Sequence, residues 1–159
     1  VSRHLLDSLS VLPFIVGPRV LDVGSGAGLP GIPLAVARPE WEFTLLDSNG
    51  KKTRFMTHAA GRLGLDNVRI ARARVEDYAD EIGFDTVISR AFSSLADFVQ
   101  RAGHLCSERG CLLAMKGRLH DEEMATVPAG WGISTTTRLS VPGVKGRRHL
   151  VVMTRNGRH

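Results

Sequence analysis

The sequence predicts an α/β sandwich: a mostly parallel seven-stranded sheet with helices on both faces and a C-terminal antiparallel hairpin. Three observations predict it. Apolar, β-prone runs alternate with helical patterns from Arg19 to Lys116. The first run ends directly in a glycine-rich loop. Beyond Gly117 two apolar runs follow each other with no helix between them, which implies an antiparallel pair at the sheet edge.

The elements follow in order. Arg3-His4-Leu5-Leu6-Asp7 to Leu9 reads as the end of an amphipathic helix, so a further N-terminal segment is expected before it. Residues 1–15 are assigned to that helical segment and residues 16–159 to the main domain. Arg19 to Val23 is the first strand. Pro30 to Ala37 is a helix, with proline in its first turn, where a missing N–H costs little. Trp41 to Leu46 is the second strand, ending at Asp47. Ser48 is placed to cap a long helix bearing Phe55, Met56, Ala59, Ala60 and Leu63, with Gly64 as its stop. Asn67 to Ala71, Phe84 to Ile88 and Cys111 to Met115 are the next three strands, and Leu95 to Leu105 is helical. His120 to Thr126 is a short helical stretch. Ile133 to Leu139 and His149 to Met153 form the hairpin, joined by a loop containing Pro142, Gly143 and Gly146.

Composition removes several classes of function. At 159 residues the chain holds one domain of ordinary size. Hydrophobic residues are 43% and charged residues 23%, which suits a real core without metal or disulfide staples. No apolar run approaches the ~18 residues of a membrane span. Cys106 and Cys111 match no metal or redox spacing, and Cys111 reads as a buried thiol in a reducing, cytoplasmic setting. His120 and Glu123 could share a helix face but have no second ligand pair, so no metal is expected. Lys and Arg number 21 against 16 Asp and Glu, a net +5, and only four of the 21 are lysine. Such a surface attracts polyanions, although charge alone slightly favours an arginine-rich surface that is merely solvated.

The loop Asp22-Val-Gly24-Ser-Gly26-Ala-Gly28-Leu29 carries the chemistry. Counted from Gly24, the dinucleotide fingerprint would need glycine where Leu29 stands, and it is recovered only by sliding the loop away from the strand. The unslipped pattern, an acid and then three alternating glycines, is that of S-adenosylmethionine loops in Rossmann-like methyltransferases. Asp47 ends the second strand, where a carboxylate accepts ribose hydroxyls; a helix-capping role is compatible with this. The third strand leads to Arg74-Val75-Glu76, placed for adenine, with Val75 against the base and Glu76 at its polar edge. On its own this segment reads as a turn and an acidic helix start.

Here the chain resembles a family. Asp22 through Leu34, Leu-Leu-Asp47-Ser-Asn-Gly-Lys-Lys-Thr-Arg-Phe55, Arg74-Val-Glu, Ile-Ser-Arg90-Ala-Phe, Met-Lys116-Gly and Arg148-His-Leu-Val-Val152 resemble, in order, the blocks of glucose-inhibited division protein B. Arg3-His-Leu-Leu-Asp-Ser8 resembles the segment before its core. The family usually has further helices before Arg3. The resemblance implies a class I S-adenosylmethionine-dependent methyltransferase that modifies N7 of one guanine, in the 530 loop of 16S rRNA. It implies cofactor contacts at Gly24, Leu29, Val75, Glu76 and Arg90, alongside Gly26, Gly28 and Asp47 of the loop reading. The product would be S-adenosylhomocysteine, the partner the small ribosomal subunit, and a monomer is favoured.

Guanine N7 has a lone pair and no proton to lose, so no catalytic acid or base is required. Orientation is then the source of rate, and Arg90 and Arg148 are the expected positioning residues. Arg74, Lys116 and Arg148 are further expected RNA contacts. Arg90 could instead pair with Asp85, and Lys51, Lys52 and Arg54 read as a solvated helix turn. Three rivals remain: a nicotinamide dehydrogenase, for which a second half has no room; a small-molecule methyltransferase, which leaves the arginine excess unexplained; and a non-catalytic RNA-binding module, which would not need Asp47 beside three glycines.

Overall fold

The computed structural model describes residues 2–139 and 148–155. Helix α1 (Ser2–Leu9) and a 3-10 turn (Leu12–Phe14) lead into β1 (Arg19–Val23). There follow α2 (Gly31–Ala37), β2 (Glu42–Asp47), α3 (Gly50–Arg62), β3 (Val68–Arg72), β4 (Phe84–Ser89), α4 (Leu95–Ala102), β5 (Cys106–Lys116), α5 (Asp121–Met124), β6 (Trp131–Leu139) and β7 (Arg148–Arg155). The strands form one sheet in the order β3-β2-β1-β4-β5-β7-β6. The first five are parallel; β7 runs antiparallel to both β5 and β6.

Consecutive apolar residues explain why this sheet is covered on both faces. Leu21, Leu46, Val87, Leu112 and Val151 point to one side and pack with Leu95, Phe98 and Val99 of α4. Val20, Leu45, Ile88, Leu113 and Leu150 point to the other and pack with Ile32 and Leu34 of α2 and Met56 of α3. Parallel strands buried on two sides require such unbroken apolar runs rather than alternation.

The hairpin is present at the sheet edge, as expected. The later strand, β7, inserts beside β5, and β6 takes the edge. The reason is burial: Leu150, Val151 and Met153 of β7 are fully buried, whereas β6 is half-exposed along its length. The connecting loop with Pro142, Gly143 and Gly146 lies outside the described residues.

Three local expectations shift. Asn49, not Ser48, caps α3: its side chain accepts from the Lys52 N–H at 3.0 Å. The Asp47 carboxylate accepts from the Asn49 N–H at 2.9 Å, which holds the chain out of the helix until Gly50. Helix α4 stops at Ala102, and a 3-10 turn continues through Leu105. Strand β5 begins at Cys106, five residues early, with a register irregularity against β4 between Phe84 and Thr86. At the amino-terminal edge Arg19 grips Asp80 through both terminal nitrogens, at 2.9 and 3.0 Å, and holds its carboxyl well below the usual carboxylate range. No helix among the described residues is long and apolar enough to cross a membrane.

Candidate functional site

Strands β2 and β3 lie on one side of β1, and β4 lies on the other. The carboxyl ends of β1 and β4 therefore bound the crevice where open α/β sheets bind ligands. The glycine loop leaves β1 at this point. Gly24, Gly26 and Gly28 have φ of +70°, +56° and +84°, conformations a side chain would resist. A Cβ on Gly24 would meet the Ala91 Cβ at 2.7 Å, so the loop lies hard against the turn after β4.

Two aspartate side chains brace the loop from beneath. Asp47 Oδ2 accepts from the Gly26 N–H at 3.0 Å, while its Oδ1 holds Asn49. Asp47 thus ties the ends of β1 and β2 together and still borders the cleft. Asp22 is almost fully buried, and its Oδ2 accepts from the Gly31 N–H at 2.8 Å. A Cβ on Gly31 would come within 2.1 Å of Leu45 and 2.8 Å of Asp22 Oδ2, so only glycine lets the start of α2 approach this carboxyl. Asp22 Oδ1 is buried with no hydrogen-bond partner among the described residues.

Burial pushes the Asp22 carboxyl up to about 8, against the opposing pull of the Gly31 N–H. Asp22 therefore stays protonated at neutral pH in the folded chain, but not in the unfolded one. Stability should fall as pH rises from about 4 to about 8, because over that range only the folded state keeps the proton, and then level off. In an Asp22→Asn variant the contribution of this group to that slope should vanish. Urea melts of both proteins at pH 5, 7 and 9 check this, and parallel profiles would refute it.

Two cavities meet at Gly24. One, of about 320 Å³, is lined by Val23, Gly24, Asp47, Ala73, Arg74, Val75, Glu76, Phe92 and Arg101 among others. Its floor is apolar and its rim charged. Glu76 pairs with Arg101 at 3.4 Å, and Arg101 with Asp97 at 2.9 Å. Phe92 stacks on Phe98 with ring centroids 5.0 Å apart. The other cavity, of about 240 Å³, is lined by Gly24, Ser25, Ala27, Leu29, Arg90 and Ala91.

Arg90 is set by its neighbours. The Ser89 hydroxyl donates to the Val23 carbonyl at 3.0 Å and accepts from the Ala91 N–H at 3.0 Å, which pins the turn carrying Arg90 against the end of β1. Arg90 faces not Asp85 but Asp7, with Nη2 3.8 Å from Oδ2. Asp85 instead accepts from the Arg19 backbone N–H at the opposite edge of the sheet. Arg148 Nε lies 3.2 Å from Asp7 Oδ1. Asp7, Arg90, Met115, Lys116, Gly117 and Arg148 line a third cavity of about 170 Å³ beside the second. Lys116 is committed within the protein: Nζ pairs with Glu123 at 2.8 Å and donates to the Ser93 carbonyl at 2.9 Å.

The structure thus brings Gly24, Asp47, Arg74, Val75 and Glu76 to one cavity, Gly24, Leu29 and Arg90 to the next, and Arg90, Lys116 and Arg148 to the third. Gly26 and Gly28 shape the loop without lining these cavities. Phe92, Arg101 and Asp7 were not singled out in the sequence. Phe92 could have been, since it directly follows Arg90-Ala91; the other two depend on long-range packing. Neither thiol is poised as a nucleophile, as burial pushes Cys106 up to about 12 and raises Cys111. Among the described residues no group of three potential metal ligands occurs.

Comparison with known proteins places the chain among relatives. A family model described as GidB, rRNA small subunit methyltransferase G, matches residues 1–151. The ribosomal RNA small subunit methyltransferase G of Nitrosococcus oceani is 56% identical over 151 residues, covering 95% of this chain and 71% of the relative. That of Alkalilimnicola ehrlichii is 57% identical over 152 residues, covering 96% and 69%. Among solved structures, a SAM-dependent methyltransferase from Aquifex aeolicus superposes with a TM-score of 0.69 at 19% identity, covering 96% of this chain and 92% of its own.

Proposed function

The chain belongs to the rRNA small subunit methyltransferase G family, and from that premise we propose that it methylates N7 of a guanine in 16S rRNA, the 530-loop guanine, with S-adenosylmethionine as donor. The observation that carries the donor is the meeting of two cavities at Gly24, between an apolar floor and a carboxylate that ends β2. The residues present fit the group. Asp47 retains acceptor capacity toward paired hydroxyls, beyond its two backbone bonds. Ala73, Val75 and Phe92 offer an apolar face to a base, and Glu76 stands at its rim. Gly24 and Leu29 leave room along the loop toward Arg90.

When bound, the donor supplies a methyl group activated on a sulfonium, which passes to the N7 lone pair while the carbon–sulfur electrons stay on sulfur in S-adenosylhomocysteine. The chain's task is geometric. N7 has no proton to remove, so no side chain need act as a base, and the buried Cys106 and Cys111 thiols take no part. Arg90 stands where the donor cavity meets the third cavity and would hold the substrate side. Arg148 contributes a second guanidinium there, and Arg74 a cation on the donor cavity's rim. Lys116 lies in the same wall, but its pairing with Glu123 gives it a supporting part. A looped-out base in folded RNA is the substrate form this surface suits, since unstacking is cheapest there. Residues 1–15 are read as the end of a helical segment and 16–159 as the methyltransferase domain. The chain is expected to act in the cytoplasm as a monomer.

Small ribosomal subunits purified without N7 methylation, incubated with the chain and labelled S-adenosylmethionine, should take up label on a single 16S guanine. Mapping of the modified base checks this. Donor binding with no label on any RNA would overturn the rRNA reading and leave a small-molecule substrate; no donor binding would overturn the reading of the loop.

A further inference from the structure

Asp7 is a buried carboxylate on a helix outside the parallel sheet, yet it reaches the site. It is 3% exposed, and its two oxygens face different arginines: Oδ2 is 3.8 Å from Arg90 Nη2, and Oδ1 is 3.2 Å from Arg148 Nε. Those guanidiniums come from unrelated places, the turn after β4 and the start of β7, and each side chain is 35% exposed toward the third cavity. Among the described residues Asp7 Oδ1 has no hydrogen-bond partner, so the contact is one of charge more than of a closed hydrogen-bonded pair. Lys116, the third cation of that cavity, has its own counter-ion in Glu123.

A carboxylate is a poor way to dock a helix. Taking its charge out of water is costly, and an apolar side chain of similar size would bury at least as well. What the carboxylate adds is one negative charge facing two guanidiniums that would otherwise repel each other. Arg90 also lines the donor cavity. A fixed Arg90 therefore fixes the boundary between donor and substrate.

We propose that Asp7 is a positioning residue that holds Arg90 and Arg148 in register over the substrate cavity, and that α1 is thereby part of the catalytic site. The inference rests on the substrate reading above. It acts through orientation. Overall RNA affinity comes from many phosphate contacts and should scarcely change, while the rate of transfer should suffer.

Asp7→Asn keeps the size and removes the charge. It should lower kcat on unmethylated small subunits about 10- to 100-fold, with KM and the donor Kd within about threefold. In an Arg148→Gln background the same substitution should cost clearly less than in the wild type, because one of the two groups it orients is gone and only Arg90 remains. An equal loss in both backgrounds, or no loss in the folded single variant, overturns the proposal. If Asp7→Asn does not fold, the same cycle is read with Asp7→Glu, which keeps the charge and displaces it by one methylene. The nitrogen chemical shifts of the Arg90 and Arg148 guanidinium groups supply a readout independent of activity: they should move in the variant as the facing charge is lost, and unchanged shifts overturn the proposal. If the wild-type chain methylates no RNA, the substrate reading fails, and the chemical-shift comparison still decides what Asp7 does.

Discussion

Gly24→Val is expected to abolish binding of S-adenosylmethionine and to cost about 2–4 kcal/mol of stability, roughly 5–15 °C in Tm. Two independent features of the position produce this. Its φ of +70° is a left-handed conformation that a β-branched residue resists. The new Cβ would also lie 2.7 Å from the Ala91 Cβ. Both atoms are fixed to backbone, so no rotamer relieves the clash; either the loop or the turn after β4 has to move. Movement of either disturbs both cavities, since Gly24 lines the two of them and Ala91 lines one. It also disturbs Arg90, the residue before Ala91. Titration calorimetry and a thermal melt on the same preparation check the prediction. A folded variant that binds the donor like the wild type would mean that the loop is not its seat.

The glycine loop was legible in the sequence because its chemistry is local: an acid and three alternating glycines directly after a strand have few other uses. The two-sided strands were legible for a similar reason, in that Val20-Leu21 and Leu45-Leu46 are adjacent apolar pairs that an alternating strand would not show. The order of the last two strands was not. A hairpin pattern fixes neither which arm meets β5 nor how far each is buried, although the denser apolar run of Leu150 to Met153 held that information. The capping of α3 was misplaced by one residue because Asp47 spends an oxygen on Asn49, a competition between loop and helix that no periodicity reveals. The partner of Arg90 was beyond reach for a different reason. Asp85 was near in sequence; Asp7 is near only because α1 packs by the carboxyl edge of the sheet. A polar residue on a short amphipathic helix looks solvated until the surface beside it is known.

Arg90→Ala should leave the donor bound, with affinity reduced by no more than about tenfold, and should slow methyl transfer about 100-fold or more. Its place accounts for the asymmetry. The donor cavities are also lined by Asp47, Val75, Glu76 and the glycine loop, none of which contacts Arg90 in a hydrogen bond, so losing one wall residue leaves most of that surface intact. On the substrate side Arg90 and Arg148 are the two arginines of a cavity of about 170 Å³, and a small misplacement of a base from its attack position is enough to cost two orders of magnitude. Arg90→Lys keeps the charge but not the planar fork; if the residue serves only as a cation, lysine restores the rate, and if it orients through paired hydrogen bonds, lysine does not. The salt dependence of RNA binding then divides the remaining possibilities. A phosphate contact at Arg90 should appear as a slope shallower by about one in the alanine variant, whereas a contact to the base leaves the slope as it was and alters the rate alone. Full activity in Arg90→Ala would remove it from the site and shift the positioning of the base to Arg148.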